Sequence, residues 1–360
     1  MDLKTRSCQA FGDGITIKSE TLSKTENTTA KSMNISIIEP HLKLFGGIRR
    51  IVELANRLEI MGHDVTIYHS DGSPCEWMSC TAKTKSAAES LRKFHDVLIY
   101  NDPNPRDYLL VKLTRARLKV HYTLGLYAMH LLKSNDLRIF LPCNGRTLIL
   151  KMMLREHHMQ LSNSTWMYEW LLENMNVDSI LLVGGVNHEI FHPVLVRKNP
   201  GVIRLLCTGD PRINKGTDVV LEAVQLARQL EPAIVLDQYY GKDLPQVDMA
   251  QLYSTADIFI DGQHSGGWNN PVAEAMACKT AVVCTDIGGV RDFAFHEKTA
   301  LLVPTGNPQA MAVAILRLVR DESLRDVLRE NAYQHISHFD WDKTADKLEK
   351  ILLAALENLS

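Results

Sequence analysis

Residues 253–293 read YSTADIFIDGQHSGGWNNPVAEAMACKTAVVCTDIGGVRDF, and the order of elements in this stretch decides the fold class. An apolar run that closes at Asp261 reads as a buried strand, and a polar, glycine-rich loop follows it. A helix then opens at Pro271, where proline is favoured because its missing N–H would have no partner within the helix. TAVVCTD (280–286) is the next strand, and it ends in the turn Ile287-Gly288-Gly289. Strand, loop, helix and strand in succession imply parallel pairing, with helices covering the faces of the sheet.

The same alternation extends outward on both sides. Before the stretch, VIRLLCTG (202–209) and AIVLDQYYG (233–241) read as strands around an amphipathic helix at 216–230, and ALLVP (300–304) follows the stretch as another strand. In the first half, MNISIIEP (33–40) is a strand that leads to Gly46 and Gly47. Ile48, Ile51, Val52, Leu54, Ala55 and Leu58 then recur at helical spacing until Gly62 stops the helix. HDVTIYHS (63–70), DVLIY (96–100), LKVHY (118–122), RIFLP (138–142) and SILLVGGV (179–186) are further strand candidates. Pro193, Pro200 and Gly201 put a linker near 193–201.

The expectation is an α/β protein of two tandem Rossmann-like, doubly wound domains facing across a cleft, since ligands of such sheets lie at the carboxyl ends of the strands. The polar residues 1–32, rich in Ser, Thr and Lys, read as a disordered tail. Residues 33–198 form the first domain and 199–342 the second, and the amphipathic helix 343–360 packs back on the first.

Composition narrows the classes. A chain of 360 residues that is 45% hydrophobic can bury two cores, and a formal net charge of −2 speaks against nucleic acid as a partner. Between Lys83 and Arg155, however, 14 Lys and Arg face 5 Asp and Glu. This basic stretch suits a phosphate-bearing acceptor or peripheral contact with an anionic membrane, and it equally suits solvated helix surface. The seven cysteines are scattered, and only Cys75 and Cys80 lie close, so no metal site is expected and reduced thiols of a cytoplasmic protein account for them. No apolar signal segment opens the chain, and no run approaches the ~20 apolar residues of a membrane span.

Three features at strand ends carry chemistry. Glu274, in the first turn of the helix opened by Pro271, can accept both hydroxyls of a ribose; alone it would equally be a solvated carboxylate at a helix start. Gly288 and Gly289 let backbone N–H groups approach an anion, although any tight turn uses glycines. Arg212 and Lys215, in the loop bounded by Gly209 and Gly216, place cations where a departing diphosphate builds negative charge.

With these residues in order, the chain from Met33 to the C-terminal helix resembles the retaining GT-B glycosyltransferases of family 4, the glycosyltransferase group 1 family. The resemblance rests on Gly46-Gly47 before RIVELANRLEIMGHDVTIY, on Lys215-Gly216, and on PVAEAMACKTAVVCTDIGGVRDF and TALLVPTGNPQAMAVAILRLV. It implies a nucleoside-diphosphate sugar donor held by the second domain, an acceptor hydroxyl (glycan, lipid-linked or small molecule) held by the first, retention of configuration, and neither metal nor cofactor. By position, Glu274 corresponds to the ribose ligand and Lys215 to the diphosphate lysine. Gly267, Trp268, Asn269 and Asn270 correspond to the loop whose backbone meets the donor sugar. Gly288 and Gly289, with Gly46 and Gly47, correspond to the turns around the phosphates. Two positions depart from the pattern: Gly266 stands where the family has a first Glu, and Asp210 stands where it has an Arg, for which Arg212 is the nearest substitute.

His121, at the end of a strand, is the one acceptor-side candidate, and a packed histidine is the alternative. Trp166 and Trp170, one helical turn apart, read as packing near the hinge. Two other functions fit the same motifs: a homologue that binds a nucleotide sugar without transferring it, and a GT-B sugar-nucleotide epimerase.

Overall fold

Ile35–Ile38 are buried along their whole length, as a strand of a parallel sheet covered on both faces must be. In the computed structural model, which describes residues 32–44, 46–101, 105–125, 159–196, 201–242 and 244–359, they belong to β1 (Asn34–Ile38). The chain continues through α1 (Gly46–Ile60), β2 (Asp64–His69), β3 (Lys83–Ser86) and β4 (Phe94–Tyr100). It then forms α2 (Pro105–Leu113), β5 (Arg115–Thr123), β6 (Met159–Ser162), α3 (Thr165–Trp170) and β7 (Ile180–Leu181). These seven strands make one sheet in the order β3-β2-β1-β4-β5-β6-β7, with every pair parallel. The order reverses between β1 and β4, so the loops after those two strands flank the crevice at which such sheets bind ligands.

The second sheet is built from β8 (Ile203–Cys207), α4 (Thr217–Leu230), β9 (Ile234–Gln238), α5 (Gln246–Thr255), β10 (Ile258–Asp261), α6 (Asn270–Ala277), β11 (Ala281–Thr285) and β12 (Leu301–Val303). Its five strands run β12-β11-β10-β8-β9, again all parallel, and the order reverses between β8 and β10. Helices α7 (Pro308–Arg320), α8 (Glu322–Ile336) and α9 (Trp341–Glu357) complete the described chain.

Helix α9 returns to the first sheet. Trp341, Ala345, Leu348, Ile351, Leu352 and Ala355 lie in one apolar core with Ile51, Leu58 and Ile35. The Arg50 guanidinium sits between the rings of Tyr122 and Trp341, 5.5 and 5.4 Å from their centroids, and donates to the Tyr122 hydroxyl.

The structure departs from the sequence-based expectations at three points. SILLVGGV supplies only Ile180 and Leu181 to the sheet; Leu182 still packs in the first core while Val186, Phe191 and Val194 pack in the second, so the chain crosses between the cores at the glycines of this run and not near 193–201. A Cβ on Gly184 would lie 2.5 Å from Arg50 Nη2 and from the Trp268 ring, and one on Gly185 would lie 2.6 Å from the Trp341 backbone nitrogen. The polar run KTKS forms the edge strand β3, where lysines are tolerated because one side of the strand meets no other strand. Helix α1 begins at Gly46 itself instead of after the glycine pair. RIFLP (138–142) lies outside the described residues. Among the described residues no helix is long and apolar enough to cross a membrane, and no group of three His, Cys, Asp or Glu is placed to hold a metal.

Candidate active site

The loops after β8 and β10 meet through two glycines. Gly216 has φ +59, and a Cβ on it would lie 1.9 Å from the Gly262 carbonyl oxygen; a Cβ on Gly262 would lie 2.4 Å from the Gly216 oxygen. Only chains without side chains at both positions can approach so closely. The contact brings Lys215, at the end of a single 3-10 turn, beside β10, where Nζ donates to Gln263 Oε1 at 2.9 Å. Burial lowers the proton affinity of Lys215, and the nearby Asp261 opposes that shift. Asp261 is 4% exposed, and burial raises its carboxyl above the usual range. Its Oδ1 accepts from Gln263 N and from Asn269 Nδ2, each at 3.1 Å.

Arg212 is committed elsewhere. Its Nε donates to both carboxylate oxygens of Asp210 at 3.0 Å. Burial pushes the Asp210 carboxyl up, but hydrogen bonds from Arg212 hold it below the usual range. The two charges offset each other, so the lysine carries the net positive charge of this loop.

Helix α6 opens one residue earlier than the proline suggests. Asn269 is the N-cap, accepting from Val272 N, and Asn270 and Pro271 fill the first two positions. Glu274 therefore lies beyond the first turn, 4% exposed, and faces the first domain. Its Oε1 pairs with Arg49 of α1, and its Oε2 accepts from the Tyr253 hydroxyl at 3.2 Å. Tyr253 in turn shares a 3.0 Å hydrogen bond with Tyr239. Burial raises both phenols well above their ordinary range and lowers Arg49.

Of the remaining sequence candidates, Gly46, Asn270, Gly267 and Gly288 lie where the two domains touch. Asn270 Nδ2 donates to the Gly46 oxygen at 3.0 Å. Gly47 has Leu124 as its near neighbour, and Gly267 lies against Asn163 and the Leu124 carbonyl, where a Cβ would be 2.5 Å from Asn163 Nδ2. Gly288, with φ +83, faces the Trp166 ring, and Gly289 packs on the backbone of Gly267. The Trp268 side chain turns inward, with its ring centroid 4.5 Å from that of Phe293 and 5.2 Å from that of Phe339. His121 is 1% exposed and stacked on Tyr100 at 4.8 Å, so a ligand reaches it only if that stack opens. Trp166 and Trp170 pack on Met167, Leu171, Met175 and Val177.

Sequence reasoning missed Arg49, Tyr253, Asp261 and Gln263. Arg49 was hidden in an amphipathic helix. Tyr253 opens the stretch that decides the fold, but it lies a helix and a strand ahead of Glu274. A buried Asp at the carboxyl end of β10 was the available signal for Asp261.

Residues 238–335 match the family model of glycosyl transferases group 1. This group 1 region holds β10, its loop, Glu274 and the Gly288 turn, while Lys215 and α1 lie before it. The D-inositol 3-phosphate glycosyltransferase of Saccharomonospora viridis is 31% identical over 168 residues, which are 45% of this chain and 38% of that relative. The alignment thus spans well under half of that protein. Sucrose-phosphate synthase from Thermosynechococcus elongatus superposes with a TM-score of 0.70 at 17% identity, covering 89% of this chain and 99% of that one. Anabaena HepE in complex with UDP and glucose superposes at 0.66 with 13% identity, covering 89% of this chain and all of that one (100%). At such identities the likeness is one of fold, and that fold is GT-B.

Proposed function

We propose that the protein transfers a sugar from a nucleoside-diphosphate sugar to an acceptor hydroxyl, with retention of configuration. The observation that carries this reading is that Lys215 follows β8 and Glu274 follows β10, the two strands between which the order of the second sheet reverses, with Glu274 turned toward the amino end of α1. In a doubly wound sheet this is where a nucleotide lies. A ribose diol would exchange with Arg49 on Glu274, and the diphosphate would lie by Lys215. As the bond from the anomeric carbon to the diphosphate oxygen breaks, the lysine ammonium stabilises the charge left on phosphate. The acceptor oxygen forms the new bond on the same face of the sugar, its proton passes to a diphosphate oxygen, and the nucleoside diphosphate departs. HepE, with UDP and glucose, suggests uridine nucleotides as the first donors to try.

Calorimetric titration with UDP, GDP and their sugar conjugates tests the reading. The expected result is binding of one nucleotide that is lost in Glu274→Gln, and no binding to any of them would end it. Glutamine is the better probe than alanine, because its side-chain oxygen can still accept a hydrogen bond from the buried Arg49; both variants leave that charge without its counter-ion, so folding is checked by circular dichroism. A second reading, a protein that binds the nucleotide sugar without transferring it, is favoured by the Arg49–Glu274 pair, which holds the carboxylate against a ligand. Tight binding with no release of sugar to acceptor or water would select it.

A further inference from the structure

Gln263 stands two residues beyond β10 and is 7% exposed, and all its polar groups are engaged. Its N–H donates to Asp261 Oδ1 at 3.1 Å, and its carbonyl accepts from Thr285 Oγ1. In the side chain, Oε1 accepts from Lys215 Nζ at 2.9 Å, while Nε2 donates to the Ser265 carbonyl at 2.7 Å. The second bond orients the carboxamide so that its oxygen, and not its nitrogen, faces the ammonium. The same side chain fills the space beside Gly266, where a Cβ would lie 2.1 Å from Gln263 Nε2. Gly266 has no positive φ, so its backbone does not call for glycine. Its neighbour does.

We propose that Gln263 is a positioning residue for Lys215, holding the ammonium by a neutral acceptor that leaves its charge to the ligand, and that Gly266 is glycine to make room for it. The inference rests on the reading of Lys215 as the diphosphate ligand. A carboxylate in the same place would satisfy the ammonium and cancel its charge. An apolar side chain would leave one ammonium proton without its partner and make the charged form harder to keep. The other charged groups around Lys215 are Asp261 at the end of β10 and the Asp210–Arg212 pair after β8. His264 follows Gln263 in the chain, with its backbone N–H on the Asn214 carbonyl.

The test is UDP affinity measured from about pH 7.5 to 10.5, a range that reaches the ordinary lysine value, in the full-length protein and in Lys215→Met, Gln263→Leu, Gln263→Glu and Gly266→Ala. The ligand's own ionisation is the same in every arm, so differences between arms belong to the protein. In the unsubstituted protein affinity falls on the alkaline side as Lys215 loses its proton, and Lys215→Met removes the lysine's part of that fall, leaving the part that belongs to the uracil ring of UDP. Gln263→Leu moves the fall to lower pH and weakens binding about tenfold, the worth of one hydrogen bond to a charged group. Gln263→Glu moves the fall to higher pH yet also weakens binding near neutrality. Gly266→Ala keeps Gln263 but intrudes on its carboxamide, and it shifts the fall in the direction of the leucine variant. Falls that coincide with that of the unsubstituted protein in all Gln263 and Gly266 variants, with Lys215→Met still lacking the lysine's part, overturn the proposal alone. A Lys215→Met protein that binds UDP like the unsubstituted one overturns the reading of the site, and the proposal with it.

Discussion

Burial lowers the proton affinity of Lys215 and raises that of Asp261, and their mutual attraction draws each back toward its charged form. Each member of this pair can be tested by substitution. On the proposed reading, Lys215→Ala removes the cation that stabilises the leaving diphosphate and lowers turnover by ~10²-fold or more, read as released nucleoside diphosphate; unchanged turnover would refute the role. Asp261→Asn keeps the oxygen that accepts from Gln263 N and Asn269 Nδ2 while removing a buried charge. Because the folded-state value of Asp261 is raised, its contribution to stability is present below the ordinary carboxylate value and lost as pH rises through the folded value. The asparagine variant therefore melts higher than the native protein at neutral pH, and the gain shrinks as pH falls toward about 4. A gain that grows on acidification would contradict this account.

Helices α1 and α6 meet across the domain seam through residues of their amino-terminal turns, Arg49–Glu274 and Asn270–Gly46. Arg49 also lies 5.7 Å from the ring centroids of Trp77 and Phe191, so apolar and aromatic surface supports it in place. Arg49→Met keeps most of that packing and frees Glu274, so the affinity for UDP rises; a fall would mean that the arginine itself serves the ligand. At the start of α6, Asn269 caps the helix and also donates to Asp261. Asn269→Ala costs about 1 kcal/mol for the cap alone. The loss of a donor to buried Asp261 adds to that, and the drop is measurable by thermal unfolding.

The two domains are tied by a chain that crosses between them twice. Gly184 and Gly185 carry it over after β7, against Arg50, Trp268 and Trp341, and α9 carries it back into the core of the first domain. Trp341, 2% exposed, is in sequence the property of the second half and in space part of the first. Trp341→Ala empties that core and costs about 3–5 kcal/mol. It also removes one of the two rings that hold the Arg50 guanidinium. The expected outcome is unfolding of the first sheet at lower denaturant, followed by circular dichroism, and an unchanged midpoint would place the tryptophan outside the core.

Most strands and the long helices were legible in the residues because burial writes its pattern into sequence: runs such as IFID and AVVC, short and rich in β-branched residues, read as covered strands, and α9 repeats its apolar face along its length. Strand-end glycines and the Lys215 loop pointed to the right edge of the right sheet for the same local reason. What local pattern does not encode is which distant groups become neighbours. The pairing of Glu274 with Arg49 spans 225 residues, the bond from Gln263 to Lys215 spans 48, and Gly288 and Gly289 lie against the Trp166 ring and the Gly267 backbone. Likewise β3 carries no strong period of its own and becomes a strand only because β2 offers its hydrogen bonds. Hydrophobic periodicity is a property of a segment, and it fixed the elements; charge pairing and close backbone contact are properties of the assembled whole, decided only when strand-end loops met within a sheet or when the two sheets came together.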